Sequence, residues 1–184
     1  MAKMFAPDKA YVNALSFRAA VVALNSCTVS VGVDRLLLFW PTVVCEAFSL
    51  ELFLKCLHAI RGIPHKQKHD VETLFGVLST TDKDTTTKYF HEIVQLHPQH
   101  SLALMHGVSF DIEAVLQRTK DAFIKVRYWH EGTPPSADAS GKISNAGVGS
   151  LCDALNRFID EIRPEWRTMS LHTSVLMENQ PPPT

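Results

Sequence analysis

The stretch from Cys45 to Leu78, CEAFSLELFLKCLHAIRGIPHKQKHDVETLFGVL, limits the fold more than any other part of the chain. It opens as a nearly all-apolar helix, stops at a glycine, crosses a short basic loop and restarts at His69-Asp70. A surface helix needs one apolar stripe, so a helix apolar on most sides belongs at the centre of a bundle. The few polar groups it carries are costly to bury unless they are paired or used. Glu51, Lys55, His58 and His69 are therefore the first candidates for function.

The rest of the chain keeps a helical period. It shows no convincing run of alternating β-branched residues and no Asn-Gly or Asp-Gly hairpin signal. Helices are expected over 7–27, 35–61, 71–78, 82–96, 110–129 and 146–162. Pro41 either starts the main body of the second helix or kinks it. Gly62 is its left-handed cap and Pro64 its stop. Asp70 is a natural N-cap for the third helix, and Thr81 with Asp84 resembles a capping box for the fourth. Residues 97–108 read as irregular, with Pro98 and Gly107 as breakers. Glu131 to Asn145 is a long polar loop, either a lid or merely disordered. The expected fold is all-α, an up-and-down helical bundle of about five to six helices in a single domain over 1–166. The tail 167–184, ending MENQPPPT, is expected to be partly disordered.

With 184 residues the chain is long enough for one domain with a substantial core. Its 18 basic and 19 acidic residues give a formal net charge of −1, which excludes a global basic field for nonspecific nucleic-acid binding. Cys27, Cys45, Cys56 and Cys152 lie in apolar helical surroundings without a CxxC pair. They read as reduced core residues rather than a disulfide framework or a zinc site. The apolar run from Leu36 to Leu54 is broken by Pro41, Glu46 and Glu51, so no membrane span is expected. The N-terminus lacks the order of a signal peptide, and the expected location is cytoplasmic. No metal and no cofactor are expected.

Three groups of residues could carry chemistry. On the second helix Glu51, Lys55 and His58 fall within about 60° of one another, with Glu46 and Ser49 nearly opposite. This stripe is either the solvent-facing edge, with Glu51–Lys55 a surface pair worth little, or a polar cleft between helices. The loop Arg61-Gly62-Ile63-Pro64-His65-Lys66-Gln67-Lys68-His69 contains no acid and suits a phosphate or an RNA backbone, or is a solvated connection. His69 could act as a base or only order the turn. The fifth helix ends in Lys125-Val126-Arg127-Tyr128-Trp129-His130, where Arg127 could reach a cleft and the aromatics could stack on a base. Equally, these residues could only complement the helix dipole and pad the core.

Taken together, Ala47, Glu51, Leu52, Leu54, Lys55, Leu57, Gly62, His69, Asp70, Leu74 and Leu78, followed by Arg127 and Tyr128, resemble the HEPN superfamily of small helical bundles. The resemblance covers roughly 43–130. It implies an up-and-down bundle that often pairs as a homodimer. Many members are metal-independent ribonucleases of toxin–antitoxin or phage-defence systems; others accompany nucleotidyltransferases and bind nucleotides without cutting.

The ribonuclease members carry an arginine, then four to six residues of which the first is polar, then a histidine. In this chain Arg167-Thr-Met-Ser-Leu-His172 matches that spacing, and with nine histidines about one match is expected by chance. By this resemblance Arg167 and His172 are candidate catalytic residues, with histidine in acid–base work and arginine on the phosphate. Candidate ligand-binding residues are Glu51, Lys55, Arg61, Lys66, Lys68, His69, Arg127 and Tyr128. Three classes of function stay open: a nucleotide- or RNA-binding module, a metal-independent endoribonuclease, and a structural bundle. Expected partners are RNA or a nucleotide, an antitoxin or nucleotidyltransferase, and a second copy paired through apolar remainders on helices one and six.

Overall fold

The computed structural model describes residues 6–30, 35–64, 69–97, 100–120 and 146–169, apart from the side chains of 28–30, 35–37 and 102–103. Among the described residues the structure is all-helical, with no strand. The elements are α1 (Pro7–Ser30), α2 (Arg35–Ile60), α3 (Val71–Gly76), α4 (Thr80–Leu96), α5 (His100–Met105), α6 (Ile112–Thr119) and α7 (Val148–Ile162), then a 3-10 turn over Pro164–Trp166.

Side-chain pairings give the directions of the helices. Cys56 Sγ reaches Pro7 O and Ser49 Oγ donates to Ala14 O, so α1 and α2 are an antiparallel hairpin. The Tyr11 hydroxyl lies within hydrogen-bond distance of Asn156 and Asp160, and Arg18 donates to Asp153, which sets α7 antiparallel to α1. Tyr89 pairs with Glu161 and Arg157 with Glu92, which sets α4 antiparallel to α7. The four long helices thus run up, down, up, down.

The core is where these helices meet. Leu50, Phe53, Leu54 and Leu57 of α2 pack with Tyr11 and Leu15 of α1, Phe90 of α4 and Leu151, Leu155 and Ile159 of α7. As its composition requires, α2 is buried on several sides at once.

Local chemistry sets the ends of the helices. Gly62 has φ +67°, and Ile63 N donates to His58 O at 2.8 Å, closing α2 with the expected left-handed glycine cap. Pro41 lies inside α2 rather than at its start. The capping box at Thr81 and Asp84 is corrected: Ser79 is the N-cap of α4, accepting from Asp82 N at 3.1 Å. With the cap two residues earlier, the Asp82 side chain is left to face Arg61 at the end of α2. Residues read as irregular include the short helix α5.

Among the described residues α6 covers Ile112–Thr119 of the expected fifth helix; its continuation to Trp129 and the loop 131–145 lie outside them. Cys56 and Cys152 are buried, and burial pushes both thiols up to about 12, so they are inert packing groups. Cys27, by contrast, is exposed and Cys45 half-buried, so these two are not core residues as expected. The apolar remainder expected on helices one and six is found on α1, at Val12 and Val22, and not on α7, whose large apolar side chains face the core.

Gly147, just before α7, has φ +86°, and a Cβ there would lie 2.8 Å from Val115 Cγ2. Gly147→Ala is expected to cost about 1–3 kcal/mol through backbone strain and overpacking together. Denaturant unfolding at unchanged m-value would measure it, and a loss within about 0.5 kcal/mol would show that α6 and α7 can separate freely at this contact.

Candidate functional site

The polar stripe of α2 does not face solvent. Ser49 and Cys56 mark the side of α2 that meets α1, and Glu51, Lys55 and His58 lie roughly opposite, towards α3. Glu51, Lys55 and His58 are 6%, 9% and 1% exposed. The stripe is therefore not a solvent-facing edge.

The geometry centres on one carboxylate. Lys55 Nζ donates to Glu51 Oε1 at 2.6 Å, one helical turn along α2. His69 Nδ1 lies 3.1 Å from each oxygen of the same carboxylate, eighteen residues on in the chain. Glu51 and Lys55 are enclosed, with side chains 7% and 11% exposed, while that of His69 is 53% exposed. The cluster runs from the interior to the surface, with the imidazole outermost. An exposed Glu–Lys pair is worth about 0–1 kcal/mol, but an enclosed one leaves several kcal/mol of uncompensated charge if either member is removed.

Two further contacts place His69. His58 Nε2 donates to Leu74 O at 2.7 Å, pinning α3 against α2. Asp70 caps α3, accepting from Glu72 N at 3.1 Å, Thr73 N at 3.2 Å and Thr73 Oγ1 at 2.7 Å, which stops the chain turning away just after His69. Lys120, at the end of α6, reaches Glu72 at 2.8 Å and Asp70 at 3.9 Å.

The Asp70 carboxyl titrates below its ordinary range. Burial, the largest single influence, pushes it up, but hydrogen bonds from the Thr73 hydroxyl and N–H, the charge of Lys120 and the Glu72 N–H together outweigh burial. The folded-state value is thus the lower one. The cap contributes fully above the ordinary aspartate pKa and fades as pH falls through the folded value. Asp70→Ala is expected to cost about 1 kcal/mol near neutral pH and less in acid. Melting curves of both proteins across that range would check this, and a difference that grew in acid would be the wrong sign.

The other sequence candidates fall elsewhere. Arg61 does not join the Glu51 cluster. It makes two hydrogen bonds to Asp82, at 2.7 and 3.2 Å, and lies over the Phe158 ring at 5.7 Å, joining the end of α2 to α4 and α7. Asp82 is 3% exposed, so this guanidinium compensates a buried carboxylate. Arg167 is exposed and follows the 3-10 turn at Pro164–Trp166. Lys66, Lys68, Arg127, Tyr128 and His172 lie outside the described residues.

Sequence reading missed the second polar cluster, where Arg18 pairs with Asp153 at 2.7 Å beside buried Glu46. Gly149 makes room for it, since a Cβ there would lie 3.2 Å from Arg18 Nη1 and 3.6 Å from Glu46 Oε1. The available signal was that Tyr11 and Arg18, seven residues apart on one face of α1, both need partners.

Several described cations are matched by carboxylates: Arg18 by Asp153, Arg61 by Asp82, Lys120 by Glu72, Arg157 by Glu92 and Arg163 by Glu165. Among the described residues no group of three or more His, Cys, Asp or Glu could hold a metal ion. No described helix is long and apolar enough to cross a membrane.

Comparison with known proteins adds no relative: no family model, no curated protein and no solved structure matches this chain.

Proposed function

We propose that this chain is a HEPN-type nucleotide- or RNA-binding module, of the kind found in prokaryotic defence or toxin–antitoxin systems, with His69 at the centre of its ligand site. The observation that carries this reading is the Glu51 carboxylate, which ties an enclosed lysine and a half-exposed histidine into one cluster. A purely solvating edge would not bury the carboxylate and the ammonium behind the imidazole. In the sequence this cluster directly follows the basic run His65-Lys66-Gln67-Lys68, the residues best suited to a phosphate. The matched pairs elsewhere support a compact site rather than a long cationic track. The HEPN resemblance would add a second copy and an antitoxin or nucleotidyltransferase as protein partners.

The test is binding of a fluorescent mixed-sequence single-stranded RNA, and of AMP, to the wild type and to His69→Ala. His69 is exposed enough for the variant to fold. The wild type is expected to bind at least one probe, and His69→Ala to weaken that binding by about tenfold, the value of one hydrogen bond to a charged or polar group. No binding of either probe would overturn the module reading.

The same RNA incubated in EDTA addresses the endoribonuclease alternative. Cleavage abolished by His172→Ala would assign a metal-independent nuclease to Arg167 and His172. Intact RNA is the expected result.

A further inference from the structure

We infer that the last turn of α4 and the helix α5 form a face on which two copies of this chain pair. The pairing goes beyond the binding-module reading and does not depend on it.

The face is marked first by what it exposes. Leu96 ends α4 and Met105 ends α5, and each is 84% exposed, more than any other large apolar side chain among the described residues. Leu104 beside Met105 is 51% exposed. Leu96 breaks the pattern of its own helix. Val94 is buried, and two residues on, about 200° around the helix, the chain points away from the core. One turn back on that outer side stands a charged residue, Glu92, paired with Arg157. α5 packs against α4. The turn between them is short, with His100 N donating to His97 O at 2.9 Å, so the three apolar side chains share one end of the molecule.

Charge decides what can cover this end. From Ile93 to Phe110, between Glu92 and Asp111, the chain has no Asp, Glu, Lys or Arg. A twofold axis lays a surface against itself, so a charge near the axis meets its own copy. A face without such charges is complementary to itself, and a net charge of −1 sets up little long-range repulsion between copies. Burying the exposed leucines and methionine then drives the pairing. A membrane surface calls for Lys or Arg beside the apolar residues, and this run contains neither. An interface centred on three side chains per copy belongs to the small class, below about 1,200 Å² in total, so the pair should be reversible and form at about micromolar concentration.

Sedimentation equilibrium of the full chain from about 1 to about 200 μM, concentrations spanning that range, tests the inference. The average mass is expected to rise from that of one chain towards that of two. Leu96→Glu and Met105→Glu are each expected to weaken the association at least about tenfold while melting like the wild type, because both positions are exposed. Val77→Glu is the control. Val77 is 53% exposed but lies near the other end of α4, so this variant should pair as the wild type does. Because no ion pair holds the face, association should not weaken as sodium chloride is raised. A wild type that stays monomeric throughout would overturn the inference, and binding of that monomer to phosphatidylcholine vesicles would reassign the face to a lipid surface. A dimer that survives both Leu96→Glu and Met105→Glu, or one that salt dissociates, would equally overturn it and place the contact elsewhere.

Discussion

Glu51→Ala is expected to destabilise the fold by about 3–5 kcal/mol, the cost of breaking an enclosed ion pair from one side. The physical reason is asymmetric. In the wild type the Lys55 ammonium is 11% exposed and has a carboxylate oxygen at 2.6 Å. In the variant it keeps its burial and loses that partner, while His69 loses the acceptor that holds the chain at the entry to α3. A domain of this size is stable by only about 5–15 kcal/mol, so the variant should be close to unfolding. Replacing both charges, as Glu51→Met with Lys55→Met, is expected to be near neutral or stabilising, because no unmatched charge remains. Urea titrations of the two variants beside the wild type would decide it. A loss below about 1 kcal/mol for Glu51→Ala would show that water reaches the pair and that its value is that of a surface contact.

Phe53→Ala is expected to cost about 3–5 kcal/mol, through lost transfer energy and the cavity left behind. Phe53 is fully buried midway along α2, with its ring edge-on to Tyr11 at a centroid distance of 6.1 Å. Tyr11 is itself held from three directions: its hydroxyl oxygen lies 2.8 Å from Asn156 Oδ1 and 2.5 Å from Asp160 Oδ1, and its ring lies 5.4 Å from that of Trp166. A neighbour so restrained cannot move to fill the space, so the cost should lie high in the usual range. Calorimetric melting would show it as a drop in Tm. A small drop would mean that α1 and α2 close together over the cavity, and that the Tyr11 contacts yield more easily than their number suggests.

Much of this protein is local and therefore legible along the chain. The bounds of α1, α2 and α7 agree with the expected ones to within three residues, because apolar period and the Gly62 cap act within a turn or two, as does the Asp70 cap that starts α3. The centrality of α2 follows in the same way, since a helix with so little polar surface has nowhere else to lie. Where the reading slipped, the competing choice was also local: both Ser79 and Thr81 can cap α4, and the outcome turned on Asp82, which is worth more facing Arg61 than facing solvent.

Sequence by itself thus determined an all-α bundle built on α2 and a set of polar residues too expensive to leave unpartnered in it. Only the tertiary structure decided their partners. Periodicity places Glu51, Lys55 and His58 on one side of α2 but says nothing of what lies across from them. The answer depends on where α3 docks, and on a loop that returns His69 to Glu51 across eighteen residues and brings Asp82 to Arg61 across twenty-one. Those pairings depend on the closure of the whole bundle, and no window of neighbouring residues contains them.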